Sequence, residues 1–196
     1  MNMTIPLFPL NTVLFPGGVL PLRIFEPRYL DMVSNCLRTE TGIGVILIKE
    51  GSEVGDAARP HDIGTMTSIC YWNKRKDGLL GVTLKGEQRF RIISQSVATN
   101  QLIEAEIELL PDVADTPILA EYQHLADLLE KIINQLEPPY TTMPVHYDNA
   151  SWVSARLVEL LPLQLSKKQW LLELEDPLER LAELNTNLHE KKYIQK

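Results

Sequence analysis

The 196-residue sequence predicts an α+β chain: a small β-barrel with one inserted helix over residues 1–112, then a four-helix bundle over residues 113–196. Three observations carry this prediction. Up to Pro111 the apolar residues recur mostly with a period of two; beyond it the period becomes that of a helix. The opening from Ile5 to Val33 is dense in Leu, Val and Phe, yet Pro6, Pro9, Pro16, Pro21 and Pro27 interrupt it. Proline lacks an N–H and clashes with the preceding turn, so this stretch must be short pieces joined by corners.

The first helix is expected from Pro27, a residue suited to the first helical position, with Tyr29, Leu30, Met32, Val33 and Leu37 as its apolar stripe. The full apolar run Ile43 to Glu50 predicts a strand buried on both faces. Glu50 to Asp62, polar and Gly-containing, reads as a mobile loop. Alternation over Ile69 to Lys74 and Leu79 to Lys85, joined at Asp77-Gly78, predicts a hairpin whose turn uses positive φ angles. "EQRFRIISQSV" adds a strand, and "LIEAEIELL" another, with Ile103, Ala105, Ile107 and Leu109 inward and Glu104, Glu106 and Glu108 in water. Closing these strands into a barrel removes the edges that an open sheet of this size would expose.

In the second half, Thr116-Pro117 predicts a cap and first turn, opening a long helix striped by Leu119, Tyr122, Ala126, Leu129, Ile133 and Leu136. "EPPYTTMPVHYDN" ends it. A second helix is expected from about Ser151 to before Pro162, and capping patterns at Ser166 and Asp176 predict two more.

With 44% apolar and 23% charged residues, the composition is that of an ordinary globular protein. No run reaches the ~18 to 20 apolar residues a spanning helix needs, and the opening lacks a signal peptide's basic start and cleavage site. The expectation is a cytoplasmic chain with no membrane association. Cys36 and Cys70 are expected as buried, reduced thiols.

Catalytic and cofactor motifs are missing. There is no phosphate-cradling loop, and Gly42-Ile43-Gly44 lacks the rest of a dinucleotide fingerprint. The histidines at 61, 124, 146 and 189 lack metal-ligand spacing. Ser166 beside Lys167 reads as a helix cap rather than a nucleophile pair, because adjacent helical residues do not face each other. The expectation is a non-enzyme with no cofactor and no metal. The run Lys74, Arg75 and Lys76 is the candidate nucleic-acid contact, but it sits on a hairpin tip, and a net charge of −7 repels phosphate backbones.

"IPLFPLNTVLFPGGVLPLRIFEPRYLDMV", "IGTMTSICYWNKRKDGLLGVTLKGEQRFRI" and "LVELLPLQLSKKQWLLELEDPLERLAEL", in that order, resemble the N-terminal substrate-recognition domain of the Lon ATP-dependent proteases. The resemblance covers Ile5 to about Leu184 and implies a PUA-like β-barrel followed by a helical bundle. Full Lon proteases add an ATPase module and a Ser-Lys peptidase module. This sequence shows neither, and it resembles the small stand-alone members, in which "FEPRY", Phe25 to Tyr29, opens the first helix. The implied activity is capture of unfolded or exposed apolar protein segments, in association with a protease or chaperone system. Candidate peptide-binding residues are Leu14, Phe15, Phe25, Tyr29, Met32, Tyr140 and Met143; proline corners are expected to hold Leu14, Phe15 and Phe25 near the barrel's mouth and the first helix, where a cleft faces the bundle. The alternatives are an RNA-binding PUA-like module that uses Lys74, Arg75 and Lys76, and a scaffold for one folded partner.

Overall fold

The structure, a computed structural model, describes residues 2–190. The chain forms two compact units, Met1–Asp112 and Val113–Lys196.

Among the described residues, the first unit holds seven strands and one helix: β1 (Asn2–Leu10), β2 (Val19–Ile24), α1 (Pro27–Thr39), β3 (Ile43–Glu50), β4 (Arg59–Pro60), β5 (Ile63–Lys74), β6 (Leu80–Val97) and β7 (Ile103–Leu109). Strand pairing runs β1-β7-β6-β5-β3, and a parallel β1–β3 ladder returns it to the start; β2 adds to β6 and β4 to β3. The alternation in β7 holds, with Ile103, Ala105 and Ile107 buried and Glu104 and Glu108 exposed. The first five residues of β3, Ile43 to Leu47, are all buried. The two strands expected over residues 79–97 are one continuous strand, β6, because Gly86 sits against the Phe15 carbonyl and lets the chain pass without a break.

Two apolar clusters fill this unit. In one, Tyr29, Met32, Val33 and Cys36 of α1 pack on Phe8, Leu10, Leu14, Ile24, Val45, Val82 and Leu84. Their i, i+3, i+4, i+7 spacing defines the buried stripe; Leu30 and Leu37 lie outside it and are exposed. The other cluster joins Ile5, Leu7, Ile46, Phe90, Ile103, Ala105 and Ile107. At the hairpin turn, Gly78 takes positive φ, the Gly78 N–H donates to the Arg75 carbonyl, and Asp77 accepts from the Leu79 N–H. Asp77 is not among the positive-φ residues, so one left-handed position suffices.

The second unit contains α2 (Gln123–Ile133), α3 (Ala150–Leu160), α4 (Leu165–Glu173) and α5 (Pro177–Glu190), with α3 touching the other three. The first helix here starts later than expected. Thr116 and Ile118 bond to the 148–150 segment as a short extended pairing, which holds Pro117 out of any helical turn. Ser166 lies inside α4 and does not cap it; the ladder already begins at the Gln164 carbonyl, which accepts from the Lys168 N–H. Asn149 and Asp176 are the side-chain caps, accepting from the N–H groups of Trp152 and Leu178. Buried Arg180 ties α5 to its neighbours, donating to the carbonyls of Leu171 and Leu174 and to Ser154 Oγ. Among the described residues no helix is long and apolar enough to cross a membrane.

Candidate functional site

The proline corner between β2 and α1 places Phe25 in the open. Its side chain is 56% exposed, whereas Leu14 and Phe15, at 3% and 2%, are core residues, as are Tyr29 and Met32. Leu14, Phe15 and Met32 are thus enclosed in the core, and Tyr29, also buried, lines a hollow beside Phe25. They lie inward on a strand connection or on the buried stripe of α1, so the same apolar character that suggested binding drives them into the core. Tyr140 and Met143 belong to the second unit, on and just after the turn Tyr140–Thr142, and are half-buried.

Around Phe25 lies a hollow of about 80 Å³ walled by Phe8, Leu10, Leu22, Ile24 and Tyr29, with Arg23, Glu26, Glu53 and Val54 at its rim. Tyr29 stacks on Phe8 with ring centroids 4.3 Å apart, and this pair forms part of the wall. The loop after β3, read from sequence as mobile, is tethered here. The Asn11 N–H donates to Glu53 Oε1, the Ala57 N–H donates to Gln101 Oε1 at 3.2 Å, and Arg28 Nη2 donates to the Glu53 carbonyl at 3.4 Å. Those bonds hold Val54 at the rim, where it remains half exposed. Sequence reasoning missed Val54 and Glu53, because a lone valine in a polar loop carries no periodic signal.

Arg28 organises this corner. Buried, it pairs with Glu26 at 3.0 Å, donates from Nη1 to the Gln101 carbonyl at 3.0 Å, and lies 4.6 Å from the centre of the Tyr29 ring. Gln101 holds a left-handed backbone, φ 68°, in the β6–β7 turn, where both its side chain and its carbonyl are engaged. Burial pushes the Tyr29 phenol above its ordinary pKa, so it stays neutral over the physiological range.

None of the residues lining the hollow is Ser, Thr, Cys, His or Lys. The hollow is an apolar receptacle with charged edges, and the hydroxyl on its wall is the Tyr29 phenol. Elsewhere, Lys167 pairs with Glu183 at 2.7 Å, and Ser166 and Lys167 sit side by side within α4. Among the described residues no group of three or more His, Cys, Asp or Glu is placed to hold a metal. Lys74, Arg75 and Lys76 sit at the β5–β6 tip, with Arg75 paired to Asp77 at 3.3 Å. Tyr71 and Trp72 just before them are 59% and 57% exposed. Cys36 is buried as expected, but Cys70 is exposed, because a register shift between Ile69 and Tyr71 turns it out of the ladder.

Comparison with known proteins bears on what such a receptacle receives. The model of the ATP-dependent protease La (LON) substrate-binding domain matches residues 4–190. The chain belongs to that family. A crystal structure of a Lon N-terminal domain protein from Xanthomonas campestris is similar over 94% of this chain and 98% of its own, with 36% identity and a TM-score of 0.77. The N-terminal domain of a Mycobacterium avium complex Lon protease shares the fold at 17% identity and a TM-score of 0.59. Among curated proteins, the Lon protease of Flavobacterium johnsoniae is 28% identical across 96% of this chain. That of Parabacteroides distasonis is 31% identical across 69%. The chain spans about a quarter of the length of the Flavobacterium johnsoniae protein.

Proposed function

We propose that this chain is a non-catalytic polypeptide-binding module, which captures exposed apolar segments of other proteins at the Phe25 hollow and works with a protease or chaperone system. We read the closed circuit of strand pairings as the small barrel, and α2 to α5 as the bundle, of the PUA-like architecture. The observation that carries the reading is Phe25, an aromatic side chain left more than half exposed on the lip of an apolar hollow in a member of a substrate-binding family.

The size of the hollow sets what enters it. A cavity of roughly 150 Å³ admits benzene, so about 80 Å³ takes one aliphatic side chain, with Phe25 and Val54 closing over it. Covering the exposed parts of these two residues buries on the order of 200 Å² of carbon, about 5 kcal/mol gross, with a similar amount from the partner. Association removes ~4 to 15 kcal/mol, which leaves weak, rapidly reversible capture with Kd no tighter than about 10–100 µM.

The test is fluorescence anisotropy of a labelled, reduced and alkylated model protein titrated with this chain. Changing Phe25 and Val54 together to Ser weakens capture by at least about tenfold, while stability stays within about 0.5 kcal/mol because both residues are exposed. Unchanged affinity in a folded double variant refutes the siting.

A further inference from the structure

A second surface of the first unit has the geometry of an unfinished sheet. β3 pairs with β5 through Ile43 opposite Thr67. There Gly42 presses against Thr67 and Met66, so closely that a Cβ would stand 3.0 Å from the Thr67 carbonyl oxygen. Upstream of Gly42 the chain turns away through left-handed Glu40 into the end of α1. β5 continues to Lys74, paired on its other side with β6 as far as Leu80. Among the described residues no strand pairs with β5 beyond Thr67 on the β3 side. Residues 70–74 are all exposed.

At the base of this open edge lies a groove of about 260 Å³, bounded by Cys36, Leu37 and Glu40 at the end of α1 and by Gly42, Ser68 and Ile69. It occupies the line along which β3 would run if it were longer. Pairing register puts Trp72 and Lys74 on the same face as Val82 and Leu80, the face that α1 covers further along. At the far end the charge turns positive. Arg23 is in register with Gly81 and so with Asn73, next to Lys74, Arg75 and Lys76, giving four cations against the single carboxylate of Asp77. This patch stands out in a chain whose net charge is −7. Two devices that guard edges against pairing are present, Lys74 and the register shift at Cys70, yet between them the edge offers consecutive exposed aromatics, Tyr71 and Trp72.

We propose that the open edge of β5, from Cys70 to Lys74, takes up an extended segment of another polypeptide as an added antiparallel strand, acidic toward its N-terminus and apolar toward its C-terminus. The direction follows from the geometry. A strand that continues the line of β3 runs opposite to β5, so its early residues lie at the Lys74 end and its later residues reach the groove beside Leu37 and Ile69. Main-chain hydrogen bonds supply the sequence-independent part of such binding, and alternate side chains supply the selection. A single-stranded nucleic acid would use the aromatics and cations, but would leave the unpaired backbone and the apolar groove unused, so the polypeptide fits more of what is present. This surface shares Arg23 with the rim of the Phe25 hollow, but its open strand edge and its groove lie on other residues.

The test uses a fluorescein-labelled synthetic peptide of about six residues, Glu-Asp-Glu followed by Val-Ile-Val, in anisotropy titrations of the whole chain. Saturable binding is expected. N-methylation of alternate peptide amides, which removes main-chain donors without changing side chains, should abolish it, and reversing the sequence order should weaken it about tenfold or more. Lys74→Glu with Lys76→Glu, both at exposed positions, should weaken it about tenfold, and by the same factor in a Phe25→Ser background, which separates this site from the hollow. Absence of saturable peptide binding overturns the proposal. So does equal binding of the N-methylated peptide, or tight binding of an oligothymidylate, lost steeply with salt, in place of the peptide.

Discussion

The two ends of α1 are built from similar apolar material and treated oppositely. At the N-terminal end Tyr29 stacks on Phe8, Arg28 spans Glu26, Glu53 and Gln101, and the loop after β3 is bonded across the corner, leaving about 80 Å³. At the C-terminal end the neighbouring strand, β3, stops opposite Thr67 while β5 runs on to Lys74, and about 260 Å³ stays open beside Leu37 and Ile69. Apolar content does not separate the two ends. What separates them is whether a distant segment brings its backbone and polar side chains to cover the site. At one end Gln101 and Glu53 arrive from other loops; at the other no strand among the described residues continues the ladder.

The contrast can be broken most forcefully through Tyr29. If it is a core residue and not a waiting contact, Tyr29→Ser lowers stability by about 3 kcal/mol or more. Chemical denaturation measures this, and a loss below about 1 kcal/mol would place the ring outside the core. Next is Arg28→Ala. It strips partners from the Glu26 carboxylate and from two main-chain carbonyls, costing about 2–3 kcal/mol. Hydrogen exchange should then show faster opening of residues 51–58 than of β6; uniform protection across the loop would mean that Arg28 does not hold the closed end together.

The smallest effect concerns the open end. Exposed Cys70 should be alkylated by iodoacetamide at about pH 8, while Cys36, buried beneath the groove, reacts only as the fold opens. Peptide mapping by mass spectrometry reads the two sites, and equal rates would show that the groove reaches the Cys36 sulfur. Burial holds the Cys36 thiol above its ordinary pKa. Its contribution to stability is therefore complete below that ordinary value and falls as the pH rises past it, because the unfolded chain ionises first. Cys36→Ala should flatten this alkaline decline.

Much of the architecture is legible in the sequence because it is periodic. Alternation marks β7, the continuous apolar run marks β3, and Pro27 marks the start of α1. Local capping chemistry is legible at Asp176 and misleading at Ser166, where the helical ladder starts earlier, at Gln164. The site is much less legible. Of the seven apolar candidates, Phe25 is exposed, Tyr140 and Met143 are half-buried, and Leu14, Phe15, Tyr29 and Met32 are core. Val54, Glu53 and Gln101 complete the corner from loops that carry no repeating pattern.

By itself, then, the sequence determined β3, β7 with its inward face, and the start and buried stripe of α1 at Tyr29, Met32 and Val33, since side-chain periodicity is a property of the local backbone. The tertiary structure alone decided that β1 returns to β3, that Phe25 stays wet while Phe15 does not, and that β5 outruns its neighbour. Each of these depends on a partner many residues away, and a strand's own pattern records which face is buried but not which segment covers it or where that cover ends.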